Sequence, residues 1–170
     1  MAPVIRDEAP HDLETIRAVN RSAFDGEGEA ALVDRLRDDA QVIASRVAED
    51  QGRIVGHILF SPVWIELGDR QTMAASLAPM AVDSKVQRQG IGSALVRDGI
   101  EVCRRAGYPA VIVVGHPAYY PRFGFSARAV AHLDSPYAGD AFMGLDLVAG
   151  TLATLRGRVR YPSAFDSLGP

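Results

Sequence analysis

Apolar residues in the first forty positions recur at helical spacing. Leu13, Ile16, Val19 and Phe24 share one face, with His11-Asp12 as a candidate cap. Asp25-Gly26-Glu27-Gly28 breaks that pattern, and Leu32, Val33 and Leu36 mark a second helix over Glu29 to Asp38. A short strand, Val4 to Arg6, precedes both. From Val42 the period changes to two. Val42 to Ala48 and Arg53 to Leu67 predict strands joined by a hairpin at Asp50-Gln51-Gly52. Ile54, Ile58 and Phe60 have one parity and so one predicted face. Pro62 removes a ladder donor and predicts a bulge or an edge. Beyond the turn Leu67 to Gln71, a strand is expected from about Met73 to Val82, with Pro79 marking an irregularity in it.

The pattern is clearest after that strand. Gln87-Arg88-Gln89-Gly90-Ile91-Gly92 forms a glycine-punctuated turn that opens directly into an amphipathic helix. Ile91, Leu95, Val96, Ile100 and Cys103 lie on its apolar half, and Arg97, Asp98, Glu101 and Arg104 on the other. Gly107 stops it at the usual position. Ala110 to Val114 is a continuous apolar run, as expected of a central strand buried on both faces. Strand, turn, helix and strand make a right-handed parallel βαβ unit inside a sheet that the early hairpins make mixed. A short helical turn at Ala118 to Pro121 and strands near Ala127 to His132 and Ala141 to Val148 follow. Arg158 to Phe165 fits neither period.

Length and composition narrow the class. A chain of 170 residues suits one domain, 1–170, able to bury a core without cross-links. A net charge of −3 argues against a protein that grips nucleic acid over a broad basic surface. The single cysteine, Cys103, excludes an internal disulfide, fits a reducing compartment and reads as a packing residue. No apolar run approaches the roughly 20 residues of a membrane span, and the N-terminus lacks a signal-peptide layout, so a cytoplasmic location is expected. Asp25, Glu27 and Glu29 form either an acidic lip that attracts a cationic group or an ordinary solvated turn.

The glycine turn places free backbone N–H groups and the positive end of a helix at one spot, which suits a phosphate. Such a turn also arises for geometry alone. The chain carries neither G-x-x-x-x-G-K-[ST] nor a dinucleotide fingerprint after its first strand. The spacing Gln87-x-x-Gly90-x-Gly92 resembles the [QR]-x-x-G-x-[GA] acetyl-CoA pyrophosphate motif of the GNAT superfamily of N-acetyltransferases. Downstream, Tyr119-Tyr120-Pro121-Arg122-Phe123-Gly124-Phe125 is similar to that family's Y-x-x-x-G-F, in its subgroup with P-x-Y-Y-x-R-F-G-F. One helix and one strand separate the two motifs, as in the family.

The resemblance implies an α/β (α+β) domain. Its mixed, mostly antiparallel sheet would have about 6–7 strands, a splayed central parallel pair and about four flanking helices. It also implies an N-acetyltransferase that moves the acetyl group of acetyl-CoA, without a metal, onto a small-molecule or peptide amine by direct attack in a ternary complex. Carried over by position, Met80, Ala81 and Val82 would offer backbone groups to pantetheine. Gln87, Arg88, Gln89, Gly90, Ile91, Gly92 and Ser93 would form the pyrophosphate cradle. Tyr120 would be the general acid, favoured over Tyr119 because adjacent residues on a helical turn point about 100° apart. Met80 N–H is a candidate oxyanion donor. His116, Glu66, His57 or water is the candidate base. Arg122 reads as a structural partner. The asparagine that many members carry before the tyrosine is missing from Gly115-His116-Pro117-Ala118, so its contacts are not transferred. Pairing of two copies through the C-terminal strands is a further expectation. Two other readings of the same fold are a catalytically silent acyl-CoA-binding or sensing module and, against the acidic composition, a toxin acting on aminoacyl-tRNA.

Overall fold

Gln51 and Gly52 adopt φ of 51° and 77°, the left-handed geometry that a two-residue hairpin loop demands. They join β2 (Ala44–Asp50) to β3 (Arg53–Leu67) in a computed structural model that describes residues 2–168. The remaining elements are β1 (Val4–Asp7), α1 (Leu13–Phe24), α2 (Gly28–Asp38), β4 (Arg70–Val82) and α3 (Ile91–Arg105). They are followed by β5 (Ala110–Val114), β6 (Phe142–Asp146), the single turn α4 (Thr151–Thr154) and β7 (Arg158–Arg160). The seven strands form one sheet in the order β1-β2-β3-β4-β5-β6, with β7 also paired to β3. All neighbours are antiparallel except β4 and β5. This is the expected mixed sheet.

Helices cover both faces. Ile91, Leu95, Val96 and Ile100 of α3 pack on Val55, Ile58 and Phe60. On the other face Ile16 of α1 and Leu32, Val33 and Leu36 of α2 meet Val47, Leu59 and the C-terminal Phe165. Cys103 lies on the buried arc of α3, where burial pushes its thiol up to about 12. Gly99 lets α3 approach the sheet: a Cβ there would lie 2.2 Å from the ring of Phe60, which is fully buried. Gly99→Ala is therefore expected to destabilise the fold by about 1–3 kcal/mol despite alanine's better helix propensity. A lower urea midpoint at unchanged m-value is the measurement that checks it.

Several expectations are corrected. Ile54 faces the α1–α2 side, whereas Ile58 and Phe60 face α3. The cause is a bulge: the β2 register passes from Glu49↔Ile54 to Ala48↔Gly56, and the extra residue reverses the alternation. Pro62 sits inside β3 opposite Ala75, outside the bulges and at a local edge, as one of the two expectations had it. It falls between the last β2 pair, at Phe60, and the first β7 pair, at Trp64, so one side of β3 has no strand to bond there. Asp12 holds the N-cap position of α1, but its side chain makes no cap bond to that helix. Its carboxylate accepts from Ala9 N–H at 2.6 Å and from Arg6, an ion pair that holds it below the usual carboxylate range. The segment expected as a strand at Ala127 to His132 is a helical turn, Arg128–Val130. Val130 and Leu133, three residues apart, both belong to the cluster of Phe142 and Leu152, so this segment buries its apolar residues at helical spacing. The turn after β5 runs from Tyr120 to Phe123, two residues later than expected.

Candidate active site

Strands β4 and β5 pair over only three positions, Ala75↔Val111, Ser76↔Ile112 and Leu77↔Val113. Beyond them the register of β4 against β3 shifts, from Leu77↔Phe60 to Met80↔Ile58, so that Ala78 and Pro79 together oppose Leu59. Pro79, which offers no N–H, belongs to this bulge. A cavity of about 830 Å³ opens where the strands part. Ala78, Pro79, Met80 and Val82 form one wall, and Val114, Gly115 and His116 form the other.

The glycine turn closes one end. Gln87 Nε2 donates to Val82 O at 3.0 Å, which fastens the turn to the end of β4 and occupies that carbonyl. Arg88 and Gly90 adopt φ of 65° and 86°, turning the chain so that α3 starts at Ile91. A Cβ at Gly90 would meet nothing within 4 Å, so glycine serves conformation there and not space. No side chain caps α3, and the N–H groups of Ile91, Gly92 and Ser93, in its first turn, lack helical acceptors. All three residues line the cavity, as do Gln87, Arg88 and Gly90. A Cβ at Gly92 would come within 3.2 Å of the Met80 thioether and 3.3 Å of the Tyr119 hydroxyl, so this glycine keeps the cleft open. Two residues assigned from the motif lie off the wall: Ala81 is buried and Gln89 is exposed.

Both tyrosines line the cleft. They differ in what holds them. Tyr119 Oη shares a 3.1 Å hydrogen bond with Ser93 Oγ. Arg122 lies 4.3 Å over the Tyr119 ring and donates from Nε to Tyr119 O at 2.9 Å, a positioning contact within the motif. Tyr120 is 7% exposed, edge-on to Tyr119 and Phe125. Its ring fills space that a Cβ at Gly115 would take, 2.3 Å away. The motif reading missed Gly115; its only signal was a glycine directly after a β-branched run. Burial, reinforced by Tyr119, pushes the Tyr120 phenol up to about 12. The group is thus a protonated donor across the neutral range.

The base candidates separate. His116 lines the cleft and is exposed to it. Glu66 is ion-paired with Arg160 and opposite Gln71 on the far part of β3, so it is not a base for this cleft. His57 is not one either. It is fully buried between Asn20 Nδ2, 3.2 Å from Nδ1, and Ser45 Oγ, 2.8 Å from Nε2. Ser45 Oγ donates in turn to Glu8, which Arg37 holds in a two-pronged pair at 3.0 Å. With Asn20 donating to Nδ1, the ring is the neutral Nε2–H tautomer. Burial and the charge of Arg37 bring its pKa down to about 3. It is a structural histidine.

The cavity also has a wall that the motifs did not describe. Ala23 and Phe24 of α1, Glu29 and Leu32 of α2, and Leu168 line it from the face of the sheet opposite α3. Leu168 ends a helical turn, Ser163–Leu168, in the tail that fits neither sequence period.

Comparison with known proteins agrees with this geometry. The family model described as an acetyltransferase (GNAT) domain matches residues 4–128. The N-acetyltransferase YhbS of Escherichia coli K12 is 37% identical over 166 residues, which are 96% of this chain and 98% of its own. The crystal structure of E. coli YhbS in complex with CoA matches with a TM-score of 0.90 at 35% identity, covering 99% of this chain and 94% of that one. A GNAT acetyltransferase from Brucella melitensis, in complex with acetyl-CoA, matches with a TM-score of 0.82 at 34% identity, covering 96% and 98%. No helix among the described residues is long and apolar enough to cross a membrane. A full set of ordered elements, a splayed parallel pair and an uncapped helix at its mouth thus coincide with a family match over most of the length: the chain belongs to the GNAT family of N-acetyltransferases.

Proposed function

We propose that this chain binds acetyl-CoA in the cleft between β4 and β5 and transfers the acetyl group directly to a primary amine. The observation that carries this reading is the uncapped first turn of α3, aimed into the opening where the parallel strands part. Two similar proteins, at 35% and 34% identity, have been crystallised with CoA and with acetyl-CoA. The residues here fit that ligand. Main-chain N–H groups of Arg88 and of Gly90 to Ser93 cradle the pyrophosphate, helped by the positive end of α3. The backbone of Met80 and Val82 receives the pantetheine arm as an added strand, with Gln87 Nε2 donating to the Val82 carbonyl beside it.

Acetyl-CoA supplies the acetyl group as an activated thioester. The amine must arrive unprotonated, and an alkylammonium with a pKa near 10.4 is mostly charged at neutral pH. His116, the one base candidate on the cleft wall, takes that proton directly or through water. Met80 N–H, just past the bulge, stabilises negative charge on the thioester oxygen. Tyr120, neutral and without a hydrogen-bond acceptor among the described residues, donates its proton to the departing sulfur.

Calorimetry with CoA and acetyl-CoA, followed by CoA release with a panel of amines, tests the proposal. Gly92→Val is expected to weaken CoA at least about tenfold, roughly 1.4 kcal/mol, because its methyl groups block the approach of phosphate to the amides. Folding should survive, since the nearest atoms are the mobile end of Met80 and a hydroxyl. No heat with either ligand would overturn the reading. Binding without transfer to any amine would leave a silent acyl-CoA-binding module.

A further inference from the structure

We infer that the acceptor is a singly charged primary amine on an apolar body, drawn into the cleft as an ammonium by Glu29 before His116 takes its proton and frees the nitrogen to attack. This inference rests on the acetyl-CoA reading above and concerns the other half of the same cleft. The cavity is lined from both faces of the sheet. The α3 face supplies the polar turn with Arg88, whereas the opposite face supplies Phe24, Leu32 and Leu168. Phe24 and Leu168 are 40% and 41% exposed, and both of them line the cavity. They share the lining with one carboxylate.

Glu29 is that carboxylate, and its isolation is informative. Among the described residues it makes no ion pair and no hydrogen bond, although its neighbours do. Glu27 is paired with Arg21 at 2.7 Å, and Asp34 with Arg17 at 2.8 Å. Of the three acids in the Asp25–Glu29 segment, only Glu29 lines the cavity, and it is half-buried there. The two arginines on the lining are elsewhere: Arg88 in the glycine turn and Arg122 stacked on Tyr119. A carboxylate beside apolar walls attracts one ammonium and desolvates the rest of its bearer. A second ammonium would be buried against Phe24, Leu32 or Leu168 without a partner, which is costly. A carboxylate on the acceptor would meet Glu29 as a like charge. Polyamines and free amino acids are thereby disfavoured.

The test is binding to the chain saturated with CoA, which requires no turnover. 2-Phenylethylamine is the probe. 2-Phenylethanol, which lacks the charge, and 1,4-diaminobutane, which lacks the apolar body and adds a charge, are the controls. Calorimetry is expected to show the probe binding at least tenfold tighter than either control. Glu29→Gln should bring it to the level of the alcohol, and Phe24→Ser should erase the preference over the diamine, each with CoA affinity unchanged. A diamine that binds as tightly as the probe, an unaltered Glu29→Gln variant, or no binding of the probe would overturn the inference while leaving the coenzyme reading intact. Failure of CoA itself to bind would instead remove the reading on which the inference rests.

Discussion

Tyr120→Phe is expected to lower the rate of acetyl transfer by about 10²–10⁴-fold while CoA affinity and the unfolding midpoint stay near those of the parent chain. The division follows from what each part of the residue does. The ring fills space beside Gly115 and packs edge-on against Phe125, and phenylalanine keeps both contacts. The hydroxyl has no hydrogen-bond partner among the described residues, so its removal orphans nothing. What disappears is a proton donor facing the cleft. Tyr119→Phe is the control: it breaks the bond to Ser93, a contact with the first turn of α3, and should act mainly on CoA affinity. Since burial raises the Tyr120 phenol to about 12, it stays protonated well into alkaline pH. Any alkaline fall in rate below about pH 11 must then belong to another group. Steady-state CoA release across pH, beside calorimetric affinity, reads both effects. An unchanged rate in Tyr120→Phe would remove the residue from the chemistry.

Acid is expected to destabilise the fold through His57 well before carboxylates protonate. In the unfolded chain this ring titrates near 6.5, and in the folded chain its pKa is about 3. Above pH 6.5 both states hold it neutral, and its contribution is fully present. Below that pH the unfolded state takes up a proton that the folded state refuses, so stability falls with pH by up to about 1.4 kcal/mol per unit. At pH 5 the loss is about 2 kcal/mol, and it continues towards pH 3. Asp12 works in a lower window: its folded pKa is depressed, so its contribution is lost only as pH drops below the ordinary carboxylate value of 3.8. Urea unfolding at pH 7.5, 6 and 5 separates the two. His57→Gln should begin less stable, because Asn20 or Ser45 loses a buried partner, and should then show a flatter dependence on pH. Parallel curves for the two proteins would contradict this account.

The two reactive halves of the cleft were unequally legible in the sequence. The side proposed for the coenzyme could be read because the chemistry proposed for it needs backbone. Glycines at 90 and 92, a strand before them and a helix after them are properties of contiguous residues, and β3, the start of α3 and β5 fell where periodicity put them. What escaped depends on residues far apart in the chain. Nothing local announces that Val55 and Gly56 both face α3, or that His57 therefore points at Asn20, 37 positions earlier. Nor does the tail announce that Leu168 comes to rest beside Gly28. Glu29 was visible only as one of three acids, and the ion pair that occupies Glu27 is a tertiary fact.

Cys103 is the one cysteine of the chain, and it is buried. A lone sulfhydryl sealed inside the domain, whose pKa lies far above neutrality, is nearly inert towards thiol-directed reagents. In a reaction mixture free of added reductant, the coenzyme released at each turnover is then the one free thiol able to react. A thiol-reactive chromogen would report turnover with almost no background from the protein, and the signal would rise at the cysteine site only when the fold itself opens.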